Sequence, residues 1–414
     1  MSAAAEAPPP APRPALVFIF VTLVLDMLSI GIIIPALPKL VEDMVGGNTA
    51  RAAEIYGVFG TVWALMQFLF TPVHGALSDR FGWRPIILLS NFGLGLDYVV
   101  MALAPSVWLL LVGRTISGVC AASIGAAFAY IADVTPPAER AARFGVLGGA
   151  IGIGFVLGPA LGGLLAVYDP RLPFWAAAAL SLCNGLYGLL ILPESLPADR
   201  RSPFSWRRAN PVGSLHLLRS DRELGGLAVV NFIASLGFVV LPSTFVLYTG
   251  YRFGWDTGTI GIALGAYGVC LMAVQVGLVR LLVPRIGERN MLLAGFVLGA
   301  AGLAVMGLAN TPFLAWASIP LTTLSGLTGP AIQALMTPRV SPTQQGQLQG
   351  ANGSVVGIAQ LVGPTIFTFT FAYFIGVGRD WQLPGAAYLL GAALYLIAAG
   401  LAWHVTSRDR QSGG

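Results

Sequence analysis

The sequence predicts an all-α membrane protein with twelve transmembrane helices. Hydrophobic residues make up 56% of the 414 residues, charged residues make up 10%, and the mean hydropathy is +0.77. A soluble domain carries about 25% charged residues, so most of the surface of this chain must face lipid. Apolar runs of about 20 residues are long enough to cross the hydrocarbon core as helices. The twelve runs are 15–37, 55–77, 85–104, 107–131, 144–167, 173–192, 224–248, 257–282, 291–309, 313–337, 347–375 and 384–405.

Positive charge is spread unevenly over the segments that join these runs. With both termini in the cytoplasm, seventeen arginines lie on cytoplasmic segments, and only Lys39 and four arginines lie on the opposite side. Because basic residues stay on the cytoplasmic side during insertion, we expect both termini there. The alanine- and glycine-rich, arginine-biased composition favours a bacterial inner membrane. The expected cytoplasmic segments are a tail at 1–14, a linker at 193–223 and a tail at 406–414.

The second half of the chain repeats the first at a shift of 205 residues. Arg80-Phe-Gly82-Trp-Arg84 aligns with Arg285-Ile-Gly287-Glu-Arg289. At the same shift, two prolines and four glycines of residues 137–159 coincide with those of 342–364. Six helices separate the copies, so both begin on the same side of the membrane. Parallel repeats of this kind predict two six-helix bundles, 15–192 and 224–405, related by a pseudo-two-fold axis along the membrane normal.

Three ionisable residues, Asp26, Asp97 and Arg114, lie inside predicted membrane spans. Such a group near the bilayer centre costs about 2.5–3.5 kcal/mol or more unless it is paired, hydrated or protonated. Burial disfavours a charged carboxylate and a nearby guanidinium stabilises it, so a balance of the two allows proton uptake and release. We predict that the three residues carry protons in a solute transporter, with Asp26 as the main carrier. A static ion pair between Asp97 and Arg114 is the alternative.

The segment between the second and third runs, residues 75–85, resembles the signature loop of the major facilitator superfamily. The residues that carry this resemblance are Gly75, Asp79, Arg80, Gly82 and Arg84. The glycines allow a tight turn, the aspartate can cap a helix, and the arginines can pair with Asp133 and Glu139 near the end of the fourth run. The resemblance implies a cytoplasmic latch that opens when the two bundles rock. A positively charged anchor for topology is the alternative.

The fifth run contains a glycine-rich string, residues 148–163, that resembles the antiporter signature of drug-exporting members of this superfamily. Its characteristic residues are Gly154, Gly158, Pro159 and Gly162. Small residues one turn apart permit close contact between helix backbones, and a proline bends the helix. Helix packing without any meaning for the direction of transport is the alternative.

A narrower resemblance rests on the strings Leu25–Pro38, Ala64–Gln67, Leu96–Tyr98, Gly113–Arg114, Leu192–Ser195, Arg252–Trp255 and Gln345–Gly350. These strings resemble the tetracycline/proton antiporters. The resemblance covers nearly the whole chain and is stronger in the first half. The resemblance implies that Asp26 and Asp97 serve proton-coupled export. It also implies that Arg114 supports these acids and that Gln67 helps to hold the drug.

Two positions depart from that family, because Leu271 and Gly299 stand where it has a histidine in the eighth helix and an aspartate in the ninth. Without these ionic partners, we expect a more lipophilic or neutral substrate than a metal-chelated drug. The aromatic candidates to hold it are Trp63, Tyr98, Phe128, Tyr130, Phe238, Tyr267 and Trp316. The hydrogen-bonding candidates are Gln67, Asn231, Gln275, Gln333 and Asn352. Packing or lipid contact is the alternative for each aromatic residue.

The sequence therefore predicts a secondary transporter that exports drug-like or hydrophobic molecules in exchange for protons. The proton gradient is its expected energy source, with no cofactor and no metal, and we expect a monomer that does not bind nucleic acid. An uptake symporter or metabolite carrier on the same scaffold is the alternative. An enzyme or a primary pump is not indicated, because the chain has no HExxH string, no nucleophile–base motif and no phosphate-binding Gly-x-x-x-x-Gly-Lys-Ser/Thr loop.

Overall fold

The computed structural model shows an almost entirely helical chain. The residues it describes are 13–136, 139–196, 201, 216–218, 222–341 and 344–407. No strand occurs among them, and the predicted all-α membrane fold is confirmed. The two predicted tails and the linker fall mainly outside these residues.

Seven α-helices form the first half of the chain. They are α1 (Arg13–Met44), α2 (Thr49–Phe81), α3 (Trp83–Leu103), α4 (Val107–Cys120), α5 (Ser123–Val134), α6 (Arg140–Tyr168) and α7 (Leu172–Ile191). The first two helices extend well beyond the predicted runs. The fourth predicted run is divided into α4 and α5, a break that its apolar composition did not predict.

Eight α-helices form the second half. They are α8 (Arg222–Phe238), α9 (Val240–Phe253), α10 (Thr257–Met272), α11 (Val279–Leu308), α12 (Pro312–Thr323), α13 (Thr328–Met336), α14 (Gln345–Ile375) and α15 (Ala386–Ser407). A π-helical segment, Ala273–Leu278, joins α10 to α11, and a 3₁₀ turn, Leu324–Leu327, joins α12 to α13. The seventh predicted run is interrupted at Val239, between α8 and α9, and the tenth is interrupted by the 3₁₀ turn.

In the described part of the chain, ten helical stretches are long and apolar enough to cross a membrane. One of them, Thr257–Leu308, contains both the eighth and the ninth predicted runs. Gly287 separates these two runs with a φ of 75°, a backbone conformation that favours glycine. The tenth predicted run corresponds to α12 and α13, which the 3₁₀ turn divides. Each of the twelve predicted runs thus has a helical counterpart.

The backbone repeats the sequence relationship between the halves. Gly82 has a φ of 97°, and Gly287, 205 residues later, has a φ of 75°. The helices α3 and α11 end just before Ala104 and Ala309, which are also 205 residues apart. The break after α4 and the 3₁₀ turn after α12 fall at matching positions as well. The 205-residue shift is therefore a structural repeat over α3 to α6.

The described residues group into two compact units. The first unit contains those of Met1–Ala36 and Leu69–Asn210, and the second contains those of Leu37–Phe68 and Pro211–Gly414. Residues 37–68, which the sequence predicts in the first bundle, thus group with the second half. Thr61 of α2 contacts α14 of the second half. The Thr61 and Thr365 hydroxyl oxygens are 2.7 Å apart, and Thr61 donates to the Leu361 carbonyl at 3.0 Å.

Within the first unit, α3 and α7 pack closely through glycines. A Cβ added at Gly95 would lie 2.7 Å from the Leu182 side chain, and one at Gly185 would lie 3.0 Å from the Phe92 ring. Phe18 of α1 lies against the same surface, since a Cβ at Gly188 would be 3.2 Å from its ring. This packing brings polar residues of α1, α3 and α7 into one buried region.

Candidate functional site

Asp26 of α1 is almost fully buried, with 1% of its surface exposed. The amide Nδ2 of Asn184 on α7 donates to Asp26 Oδ1 at 3.0 Å and to the Thr22 carbonyl at 3.2 Å. The Ser123 side chain also lies near the carboxylate. Hydrogen bonds such as that from Asn184 stabilise a buried carboxylate, whereas burial itself disfavours its charge. Burial and hydrogen bonding therefore act on the charge of Asp26 in opposite directions, with Asn184 in the role that the sequence analysis gave to a nearby guanidinium.

The break between α4 and α5 is what places Ser123 beside Asp26. A break in a membrane helix releases backbone groups that need new partners, because lipid offers none. The Ser90 hydroxyl of α3 donates to the Cys120 carbonyl at 2.6 Å and accepts from the Ala122 amide at 3.4 Å. The Ala122 amide also donates to the Cys120 carbonyl at 2.8 Å. Ser90 thus supplies partners for two of the backbone groups that the break releases, and α5 begins at Ser123.

Asp97 of α3 is fully buried and faces α4. Gly113 permits this approach, because a Cβ there would lie 2.7 Å from Asp97 Oδ1. The positive charge of Arg114 and the Ser117 side chain both lie near the carboxylate and favour its charged form. The predicted neighbours Asp97 and Arg114 are thus brought together on adjacent helices.

Tyr98 links the two acids into one cluster. It is 2% exposed, and its hydroxyl lies within electrostatic range of Asp26, Asp97 and Arg114. The three ionisable residues singled out from the sequence therefore share one buried region of the first unit, which we call the ion cluster. Sequence reasoning did not identify Asn184, Ser117 or Ser123, the polar partners of the two acids. Their only sequence signal is an uncharged polar residue inside an apolar run.

The segment between α2 and α3 is organised by a residue outside the predicted loop. The Glu194 carboxylate accepts from the backbone amides of Trp83 at 3.0 Å and Arg84 at 3.2 Å, and so caps the start of α3. It also accepts from the amides of Ser195 and Leu196. Gly82 makes this possible, since a Cβ there would fall on the Glu194 carboxylate. The expectation that Asp79 is the capping acid is corrected in favour of Glu194.

The acids proposed as partners of Arg80 and Arg84 have other partners. Asp133 accepts from the Trp83 indole at 2.8 Å, and Glu139 pairs with Arg143 at 3.2 Å.

The arginines themselves make different contacts. Arg84 donates to the Leu189 carbonyl at 2.8 Å, and Arg80 lies over the Phe81 ring at 5.0 Å. Gly75 lies inside α2 with open space beside it, so the tight turn depends on Gly82. The sequence predicted arginine–acid pairs from charge alone. In the structure the Trp83 indole takes the place of an arginine at Asp133, and the Leu189 carbonyl takes the place of an acid at Arg84.

The glycines of α6 make the close helix contact that the fifth run predicts. A Cβ at Gly158 would lie 2.7 Å from Gly31 Cα of α1. Further along the same face, a Cβ at Gly154 would fall on Met27 and one at Gly162 on the Ile32 carbonyl. Pro159 lies inside α6 and also touches this contact. α1, which carries Asp26, is therefore packed backbone to backbone against α6.

The candidate substrate residues of the second unit are only partly brought together. Asn352 Nδ2 donates to Gln333 Oε1 at 3.4 Å, so these two amides form a pair. Gln275 is exposed in the π-helical segment. Tyr267 lies instead in an internal cavity with Tyr388 and Ser318.

The remaining candidates differ in burial. Trp63, Gln67 and Asn231 are half-buried, and Phe238 is exposed. Three of the aromatic candidates take part in packing: Trp316 stacks near Trp255, Phe128 contacts Phe144, and the Tyr130 hydroxyl donates to the Pro193 carbonyl at 3.2 Å.

Among the described residues, apolar helices in two repeated halves, with two buried carboxylates in one cluster, define a multi-pass membrane protein. Residues 19–364 and, in a second match, 227–413 fit the family model described as Major Facilitator Superfamily. The chain belongs to the major facilitator superfamily, a family of transporters rather than enzymes.

Similar proteins agree with this assignment. The tetracycline resistance protein, class C, of Escherichia coli is 37% identical over 376 residues, which cover 91% of this chain and 93% of that protein. The class E protein of Escherichia coli is 34% identical over 378 residues, covering 91% and 92%. The predicted resemblance to tetracycline resistance transporters is thereby confirmed.

Solved structures of other transporters share the fold. The nucleoside transporter NupG is 13% identical, has a TM-score of 0.77, and the match covers 95% of this chain and 99% of that one. The human organic anion transporter TETRAN is 24% identical with a TM-score of 0.69, and the match covers 95% and 100%.

Proposed function

We propose that this protein exports drug-like or hydrophobic small molecules in exchange for protons. The observation that carries the proposal is the ion cluster, in which two buried acids share a region of the first unit with one arginine. Ionisable residues inside a membrane protein are costly and mark ion or proton pathways. The names of the similar tetracycline resistance proteins support export as the direction and a drug-like compound as the cargo.

The proposed mechanism is alternating access coupled to the charge of Asp26. While the carboxylate is charged, the donor Asn184 holds Oδ1 in place. On protonation Oδ2 becomes a donor, and because it has no hydrogen-bond partner in the described part of the chain, the groups near it must rearrange to supply an acceptor. Because α1 lies directly on α6 at Gly31 and Gly158, such a rearrangement would act on both helices. Protonation from the outside would favour substrate release, and proton loss to the cytoplasm would restore binding.

The proposed substrate is neutral or lipophilic. At Gly299, where the tetracycline/proton antiporters carry an aspartate, a Cβ would lie 2.7 Å from Ser325 Cβ and 3.0 Å from the Tyr395 ring. A carboxylate does not fit there without displacing these groups. Leu271, at the position of the family's histidine, packs against the backbone at Gly326. The neutral amide pair of Gln333 and Asn352 is better suited to a hydrogen-bonding but uncharged compound.

The wider setting follows from the same proposal. The protein would act as a monomer in a bacterial inner membrane, with both termini in the cytoplasm. Its energy source would be the proton gradient, and its partners would be protons, the substrate and the lipid bilayer.

The test uses inverted membrane vesicles that are acidified inside. Adding a transported compound should make the interior less acidic, because each molecule taken up exchanges for protons. The alternative uptake symporter would change the interior pH in the opposite direction. Asp26→Asn should abolish the signal, while Asp43→Asn, which alters an exposed acid of the same helix that pairs with Lys39, should preserve it. An unchanged signal in Asp26→Asn would refute the assigned role.

A further inference from the structure

The second unit contains a small internal cavity that the proposed transport mechanism does not use. Its volume is about 10 Å³, room for the centre of one water molecule. Among the residues that line it are Tyr267, Leu303, Met306, Ser318, Thr322 and Tyr388. The Tyr267 hydroxyl is buried and has no hydrogen-bond partner in the described part of the chain. A buried hydroxyl without a partner is unfavourable, so this one requires an explanation.

The cavity occupies the repeat-equivalent position of the ion cluster. Subtracting the 205-residue shift from Leu303, Ile319 and Thr322, which line it, gives Tyr98, Arg114 and Ser117 of the cluster. The equivalent of Asp97 is Gly302.

Local contacts support this equivalence. In the first unit a Cβ at Gly113 would lie 2.7 Å from the Met101 side chain. In the second unit Ser318 is the equivalent of Gly113, and Met306 is the equivalent of Met101. These two residues are also in contact, with Ser318 Oγ 3.4 Å from Met306 Sδ. The same helix contact therefore surrounds buried charges in one half and a neutral cavity in the other.

We propose that this cavity is a binding site for one water molecule, held by the Tyr267 hydroxyl. A buried water needs two to four polar partners and a space of about 10–15 Å³. Ser318 already donates to the Ala315 carbonyl at 2.7 Å, so its oxygen remains able to accept a bond from the water. Thr322 and Tyr388 bring two further hydroxyls to the lining.

The chemistry of the lining selects a neutral occupant. The residues that surround the cavity are aliphatic, aromatic or hydroxyl-bearing, apart from the thioether Met306, and none of them carries a formal charge. An ion would lose its hydration there without gaining an opposite charge. Water is the small neutral molecule that can both donate to and accept from hydroxyl groups. The second half thus binds a water molecule where the first half holds its ionisable residues.

The test is radiolytic hydroxyl-radical labelling of the full-length protein in detergent micelles, with oxygen-18 water as the source of label. Radicals form from water held next to a side chain, so Tyr267 should be labelled several-fold faster than Tyr130. Tyr130 is the reference, because its hydroxyl is already bonded to the Pro193 carbonyl. Tyr130 is 1% exposed whereas Tyr267 is half-buried, so the Ser318 variants are needed to separate labelling by a bound water from labelling by bulk solvent. Labelling of Tyr267 no faster than that of Tyr130 would overturn the proposal.

A filling substitution tests whether the label comes from this cavity. Ser318→Val adds carbon to the lining and should remove most of the labelling of Tyr267. Thr370→Val, which removes a hydroxyl bonded to its own helix at the Ile366 carbonyl outside the lining, should leave it unchanged. If Ser318→Val does not fold, Ser318→Thr provides a smaller filling change. Persistent labelling in a folded Ser318 variant would show that the water lies elsewhere and would reject the site.

Discussion

The contact between α1 and α6 can be tested with a single methyl group. In Gly158→Ala the new carbon would lie 2.7 Å from Gly31 Cα. Carbon atoms in favourable contact are about 3.5–4.0 Å apart, so the two backbones must separate by roughly 1 Å. Overpacking of this kind costs about 1–3 kcal/mol. The partner atom is backbone, which has no rotamer to change, and we therefore expect a cost within that range.

A graded series on the same helix separates overpacking from a general effect of alanine. At Gly149 nothing lies within 4 Å of an added Cβ, so Gly149→Ala should gain about 0.5–1 kcal/mol from the better helix propensity of alanine. At Gly162 the Cβ would fall on the Ile32 carbonyl, so Gly162→Ala should cost more than Gly158→Ala. From the most to the least stable protein, the expected order is Gly149→Ala, wild type, Gly158→Ala and Gly162→Ala.

The assay is thermal unfolding of the purified variants in one detergent, followed by intrinsic tryptophan fluorescence. Substrate-driven proton movement in vesicles is then measured on the folded variants. If Gly158→Ala melts at or above the temperature of Gly149→Ala, the two helices are not held in backbone contact. That result would refute the reasoning for the whole glycine-rich face of α6.

Three further predictions concern single polar side chains. Glu194→Gln replaces one acceptor oxygen at the start of α3 with a donor. It should lower the free energy of unfolding by about 1–2 kcal/mol, measured by thermal unfolding. The same change at the partly exposed Glu54 should have little effect. Asn184→Leu removes a donor to Asp26 and should weaken substrate-driven proton movement in a folded protein; equal movement at every pH would contradict this. Asp256 caps α10 by accepting from the Thr259 amide at 2.8 Å. Hydrogen bonding by the Thr259 side chain, and next by its amide, lowers the pKa of Asp256 from the ordinary value of 3.8. Because the pKa of Asp256 is lower in the folded than in the unfolded protein, Asp256→Ala should lower the free energy of unfolding by about 1 kcal/mol above roughly pH 5. The difference in stability between wild type and variant should shrink as the pH falls through the folded pKa. A difference that does not depend on pH would disprove the cap.

The order and type of the helices could be predicted from sequence because the signal is local. An apolar run of the length of the bilayer core indicates a helix without reference to the rest of the chain. The breaks inside three of the runs could not be predicted in this way. The break after α4 depends on Ser90, thirty residues away on α3, which satisfies the released backbone groups. Apolar composition contains no information about such a partner.

In the candidate site, too, residues with a local sequence signal could be predicted and residues that depend on long-range packing could not. Asp26, Asp97 and Arg114 could be identified because a charge in an apolar run is costly wherever the run lies. The partner of Asp26 could not be identified, since Asn184 is 158 positions away and its role depends on the packing of α1 against α7. The cap of α3 was misassigned for the same reason, because Glu194 lies 111 positions from Trp83.

The two halves show which features a helix repeat retains and which it does not. Features set by backbone packing occur twice, among them the positive φ of Gly82 and Gly287 and the interruption near the middle of the fourth and tenth runs. The buried charge occurs once, because Gly302 stands at the position equivalent to Asp97. A second buried acid would cost about 2.5–3.5 kcal/mol or more and would need its own arginine. Under the proposed function one proton-coupling cluster is sufficient, so a second buried acid would add this cost without a use. The other half keeps neutral hydroxyls and amides, which under the same proposal suit an uncharged cargo.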